Sequence, residues 1–431
     1  MLKPFLDNLK SPKGRDYIFT FLGQAAVVLC MLVTNKLISY NTTVENFGIY
    51  NLVRRNSAVL CFIMLGGTGI TLPRYLSMYA KQNLFFTAKD YLRSIFAYLF
   101  ISSALTLVAV LILYPWMGEL LVGSKDFTFY LILIAYSFST ALGSFVFAYY
   151  RGLENFIVYN VGQIFIHLLL VLPLFIFEYI SISQLFLIWA LLYFISAISV
   201  YFYETHKYHG IFYHKSSKTK FVSCFKDITT YSIPRLAGDS FLFLISAFPL
   251  LYISQKLSMT SVSHFSVGLS MLTMATPLFS VLGVILLPYV SSSLVQGKME
   301  EASRFIKKLS LIYLVVAIFI TVSFIIFMPI LISLFFADKY LVALPLAQIL
   351  MLSLLPESMY LLYRNPIDAV AKTPYNTYIM FISLMALIIA FVMCESLISF
   401  AWAYFFVATL RGLSSYLIWQ KIRMKTNYKL R

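Results

Sequence analysis

The chain has 431 residues, is 61% hydrophobic and only 12% charged, and carries a formal net charge of +16. A soluble domain is about a quarter charged, and apolar runs of about 20 residues, each long enough to cross a bilayer, recur here from end to end. A string of soluble domains is therefore excluded, and the placement of the positive charge, set out below, excludes nucleic acid as the partner.

Residues 1–16, "MLKPFLDNLKSPKGRD", are hydrophilic and basic. The apolar run behind them is longer than a signal h-region and lacks a small-residue cleavage pattern, so the first helix is expected to be retained. Twelve helices are predicted, over 17–39, 46–72, 91–113, 127–150, 156–178, 181–203, 230–255, 264–290, 309–332, 341–364, 375–394 and 396–420. The fold class is all-α, a polytopic membrane protein. It is organised as an N-terminal six-helix bundle (1–203), a basic linker (204–229) and a C-terminal six-helix bundle (230–431).

Polar residues recur at helical spacing along these spans. In the first helix Thr20, Gln24, Met31 and Asn35 fall near one face, with Lys36 beside it. The second carries Asn51 and, one turn later, Arg54 and Arg55. The two arginines point about 100° apart, and Arg55 is about 14 Å along the helix from its start at residue 46. Snorkelling would shorten that distance without closing it, so a water-filled cavity is the favoured explanation. The fifth helix aligns Asn160, Gln163 and His167, and the seventh aligns Ser232, Arg235, Asp239 and Ser246. In the tenth, Ser353, Glu357, Tyr360 and Arg364 line up, and Arg411 sits alone near the middle of the last helix.

These stripes fit a polar lumen enclosed by an apolar outside, but each has a plainer reading. Arg235 and Asp239, at i and i+4, can neutralise each other. His167 can be a hydrogen-bonded packing residue or a proton carrier. Glu357 can pair with Arg364 or titrate as a coupling group. Polar stripes can also join helices without any lumen. The deep cations are Lys36, Arg54, Arg55, Arg235 and Arg411, against the acids Asp239 and Glu357. That balance suits an anionic substrate, and the arginine fork suits phosphate.

Of the 33 Lys and Arg, only Lys125, Lys256 and Lys339 fall in the odd-numbered loops, and Arg93 joins the five deep cations within the helix limits. The rest lie in the N-terminal tail, the even-numbered loops and the C-terminal tail, so both termini are expected in the cytoplasm. The excess charge then forms a collar facing anionic membrane lipids. An internal repeat supports two halves. "VENFGIYNL" from Val44 resembles "VSHFSVGLS" from Val262, and "GITLPRYLS" from Gly69 resembles "GVILLPYVS" from Gly283, with Pro73 falling on Pro288. Six spans per half make the repeats parallel, a transporter plan with the substrate site between halves.

The four cysteines, Cys30, Cys61, Cys224 and Cys394, are far apart in sequence and propose neither a metal site nor a disulfide framework. No HExxH, Walker A, GxSxG or D-x-D pattern occurs, so no catalytic residue, metal ligand or cofactor is assigned, and the expectation is a secondary transporter rather than an enzyme.

The segments "FGIYNL", "LGGTGITLPRYLS", "YSIPRLAGD" and "LLPYVSSSLVQGKMEEA" resemble the polysaccharide-transport family. This is the Wzx-type O-antigen and capsule flippase branch of the multidrug/oligosaccharidyl-lipid/polysaccharide exporter superfamily. The resemblance implies translocation of an undecaprenyl-pyrophosphate-linked oligosaccharide across the bacterial inner membrane by alternating access. Arg54 and Arg55 would face the phosphates or sugars, and polysaccharide polymerase and chain-length proteins would be partners. A multidrug exporter of the same superfamily is the alternative, but it would want acids in the first helix, where 17–39 has none. A lipid II flippase would carry extra C-terminal helices. A scaffold for glycan-assembly enzymes would have no use for intramembrane arginines.

Overall fold

The computed structural model describes residues 12–429 apart from 83, 178–179, 208–217, most of 280–297, and 372. All elements among the described residues are helical. They are α1 (Pro12–Asn41), α2 (Val44–Leu65), α3 (Thr68–Lys81), α4 (Phe85–Ile112), α5 (Tyr114–Val122), α6 (Phe127–Gly152), α7 (Phe156–Ile176) and α8 (Ile182–Lys207), then α9 (Lys218–Lys256), α10 (Met259–Ala275), α11 (Met299–Phe335), a 3₁₀ turn (Asp338–Ala343), α12 (Leu344–Leu352), α13 (Leu354–Val370), α14 (Tyr375–Val392) and α15 (Leu397–Lys429). Ten helical stretches are long and apolar enough to span a membrane; α2 and α3 qualify together as a pair bent by 44°, and Ser240–Lys256 is a shorter apolar stretch. The protein is thus an all-helical membrane protein.

Several expected boundaries are corrected. The second helix, expected unbroken over 46–72, breaks at Gly66 and Gly67, whose φ angles of 57° and 84° favour glycine. The break frees carbonyls, which hydrocarbon would leave unsatisfied. Thr68 donates its hydroxyl to the Leu65 carbonyl at 2.6 Å, and Ser102 of α4 donates to the Met64 carbonyl. The third helix starts at Phe85 rather than 91, and α5 was not anticipated. Pro115 at its first turn and left-handed Gly123 at its end delimit α5, and the Asn56 amide donates to its Leu121 carbonyl at 2.8 Å. The seventh helix begins at Lys218 instead of 230, so much of the expected linker is helix, and Cys224, expected in a loop, is a buried helical residue. The tenth is not continuous over 341–364 but a 3₁₀ turn followed by two helices meeting at Ser353. Gly283 and Pro288, half of one repeat match, lie outside the described residues.

The chain divides into two compact units, residues 1–42 with 52–240, and 43–51 with 241–431. Inside the first, α6 packs on α8, α3 on α6, α1 on α7 and α7 on α8. Inside the second, α13 packs on α15, α10 on α12 and α14 on α15, and Phe241 and Phe248 of α9 meet Phe381 and Phe391 of α14. Each unit thus has the same internal order of neighbours, as the sequence repeat requires. Large aromatic side chains fill both cores, with Tyr130 and Phe186 fully buried in the first and Phe265, Tyr340 and Phe400 in the second. The Tyr130 hydroxyl donates to the Val110 carbonyl at 2.7 Å, and the Trp189 indole to the Leu170 carbonyl at 2.8 Å, while the Tyr340 hydroxyl has no hydrogen-bond partner among the described residues.

Candidate functional site

In the first unit, the polar stripes predicted on α1 and α7 face each other. Gln24 donates its amide to Gln163 Oε1 at 2.6 Å, and Asn160 donates to Thr20 Oγ1 at 3.0 Å and to the Phe156 carbonyl at 2.7 Å. Asn160 is fully buried, and its Oδ1 has no hydrogen-bond partner among the described residues. His167 engages the Gln163 carbonyl through Nδ1 at 2.8 Å, so the ring is tied into its own helix. Asn35 is buried and Lys36 half-buried further along α1, while Met31, read onto the same face, is exposed. The stripes therefore form a neutral amide ladder between two helices.

Arg54 and Arg55 are half-buried midway along α2. Their neighbours Asn56 and Ser57 are buried and commit their side chains to carbonyls, at Leu121 and at Arg54 itself. Asn51, one turn earlier, is fully buried and donates to the Phe47 carbonyl of its own helix at 2.9 Å. On α9, Ser232 shares a 2.7 Å hydrogen bond with Thr71 of α3. The side chains of Arg235 and Asp239 lie outside the described residues.

In the second unit, the structure corrects two expectations at once. Arg411 does not sit alone: it is 4% exposed and forms an ion pair with Glu357, across from α15 to α13. Glu357 is thereby paired with Arg411, where Arg364 was expected. The Arg411 guanidinium also lies 5.3 Å from the centre of the Tyr360 ring, while its Nε has no hydrogen-bond partner among the described residues. The Arg411 charge is thus neutralised within the protein.

Two acids escaped sequence reasoning. Glu204, one residue past the sixth predicted helix, is buried at the end of α8 and accepts from the hydroxyls of Tyr149 and Tyr150 at 3.1 and 2.8 Å. The adjacent tyrosines "YYR" on α6 were the available signal, because two phenols side by side in a buried helix need an acceptor. Asp227 of α9 accepts from the Tyr91 hydroxyl at 2.8 Å, beneath a stack of Tyr75, Tyr79 and Tyr91.

No group of metal-binding side chains occurs among the described residues. The four cysteines are free thiols. Cys224, outside the candidate spans, has its pKa pushed up to about 11 by burial and by the nearby Asp90 and Asp227 carboxylates, which makes it a poor nucleophile at neutral pH.

No protein-family model matches the chain, and no curated protein matches it significantly. Solved structures do. An inward-facing multidrug resistance MATE family transporter of the MOP superfamily superposes with a TM-score of 0.68 at 12% identity, over 93% of this chain and 98% of that one. A MATE transporter of Vibrio cholerae in its bent form gives 0.63 at 15% identity, over 96% and 98%. A eukaryotic MATE transporter gives 0.62 at 12% identity, over 96% and 98%. The chain therefore has the fold of these transporters along nearly its whole length.

Proposed function

We propose that this chain is a secondary exporter of the bacterial cytoplasmic membrane, with both termini in the cytoplasm. Its cargo is an undecaprenyl-pyrophosphate-linked oligosaccharide repeat unit, moved outward by alternating access for O-antigen or capsule assembly. The observation that carries the reading is the Arg54–Arg55 pair, half-buried at the middle of α2, set against a first span with no acid between Tyr17 and Asn41. Guanidinium groups at membrane depth are rare and mark a substrate or ion path, and their planar forks match pyrophosphate. The likeness of fold to MATE transporters supports the exporter part of the reading. On cargo, that likeness favours the second reading, a multidrug or other lipid-linked substrate of the same superfamily plan, over the flippase one.

Deleting the gene and assaying which leaflet holds the lipid-linked glycan separates the two. Accumulation on the cytoplasmic side, with loss of surface glycan, is the expected result. Normal glycan with new sensitivity to cationic drugs would replace the flippase reading with the multidrug one.

A further inference from the structure

We infer that the first unit carries a lipid site: a groove on α4, α6 and α8 that takes one acyl chain of an anionic phospholipid from the cytoplasmic leaflet. The groove has a volume of about 490 Å³ and is lined by Phe96, Phe100, Phe138, Phe145, Phe194 and Tyr201, among others. All three helices are membrane-spanning by length and composition, so the medium that reaches this groove is hydrocarbon rather than water. Phe100 is 43% exposed and Phe202, also on its wall, is 65% exposed, so the groove is open on that side. Its volume suits one chain of a phospholipid better than a long polyprenyl tail.

Phe96 is level with Phe145 and Tyr201, and Phe100 with Phe138, so the groove runs from a polar end beside Arg93 to an apolar end at Phe138. Glu204 lines the groove, but its carboxylate is held by the Tyr149 and Tyr150 hydroxyls. That carboxylate lies at the same end as Arg93, but it is buried and held by two phenols, which leaves the exposed cation to meet a headgroup. The headgroup partner lies on α4. Lys89, Arg93, Phe96 and Phe100 fall at i, i+4, i+7 and i+11, one stripe of that helix running from cations into the groove. Arg93 is exposed, with its guanidinium 6.0 Å from the Phe221 ring, and Lys89 is half-buried. A basic residue near a membrane surface contributes about 1 kcal/mol toward an anionic headgroup. Two cations at the mouth of an apolar groove therefore select a phosphate-bearing lipid with net negative charge over a zwitterionic one.

The test places tryptophan in the groove as Phe100→Trp, with Phe202→Trp as a second probe on the same wall. Phe319→Trp, 72% exposed on α11, is a control facing ordinary lipid. The full chain is reconstituted in phosphatidylcholine with trace brominated phosphatidylglycerol, and quenching is followed. Quenching of either groove probe at a mole fraction about tenfold lower than the control is expected. Adding Lys89→Gln with Arg93→Gln should bring the groove probes back to the control. Equal quenching at groove and control positions would mean annular lipid only and would overturn the site. So would groove selectivity that survives loss of both cations, or selectivity for brominated undecaprenyl phosphate over phosphatidylglycerol.

Discussion

Arg411 and Glu357 carry their charges into a nearly dry environment, Arg411 being 4% exposed, and are joined across α15 and α13. Removing one partner of a buried pair leaves the other uncompensated, at a cost of about 3–5 kcal/mol, whereas replacing both by apolar residues is often neutral. Arg411→Met alone and Glu357→Gln alone are each expected to lower the thermal unfolding midpoint in detergent. Arg411→Met combined with Glu357→Leu should recover most of it. A double variant as unstable as the sum of the two singles would show that the pair has no coupling. Arg54 and Arg55 call for a different readout, because their proposed role is toward cargo. Arg54→Gln and Arg55→Gln should each reduce surface glycan at normal protein level, with little change in unfolding midpoint. Unchanged export in both would remove the cationic-cavity argument. The sequence showed which residues were polar and deep, because their helical spacing is visible one span at a time. It did not show that Glu357 meets Arg411, because partners on different helices, 54 positions apart, leave no local pattern. Glu204 was missed for a related reason: a predicted helix end one residue short turned a buried acid into a loop residue.

At the scale of elements, the break between α2 and α3 is where local chemistry decides the path of the chain. Gly67 has φ of 84°, and a Cβ there would lie 2.8 Å from the Ser232 carbonyl oxygen. Gly67→Ala therefore meets both a left-handed backbone penalty of about 1–2 kcal/mol and a clash with α9. Gly69, two residues on and inside α3, has open space around its would-be Cβ. Gly69→Ala should be neutral or stabilising by up to about 1 kcal/mol, because alanine favours the helix. Thermal unfolding of the two variants side by side checks the pair. Equal effects would mean that the bend places no special demand on Gly67. The double glycine was visible in the sequence, yet the apolar run through it reads as one continuous span. The short helix α5 was marked by Pro115 and Gly123, but nine residues bury too little to stand out against the 28-residue helix before them. The break at Ser353 is marked by Pro356, which lacks the N–H that would bond the Leu352 carbonyl, yet a proline three residues past the break does not by itself fix where the helix ends.

At the scale of the whole molecule, the two-repeat plan depends on parity. Six spans per half would return the chain to its starting side, and the distribution of lysine and arginine is then expected to put the basic loops on the cytoplasmic face. The bent pair α2–α3 is the critical step. If it crosses the membrane as one broken span, Thr43 and Gln82 lie on opposite sides. If it enters and returns, they lie on the same side, the first half has five crossings, and the repeats cannot be parallel. Both residues are exposed, so each can carry a reporter. With the four native cysteines replaced, Thr43→Cys should react with a membrane-impermeant maleimide in intact spheroplasts, and Gln82→Cys only after permeabilisation. The expectation rests on charge as well as on length: Lys81 and Lys89 flank Gln82, and basic residues close to a span end favour the cytoplasmic side. Labelling of both sites from outside would make α2–α3 re-entrant and carry Arg54 and Arg55 into a loop dipping from the periplasmic face. Protection of Gln82 alone keeps them within a spanning helix, where arginines are rare and mark a path for substrate or ions.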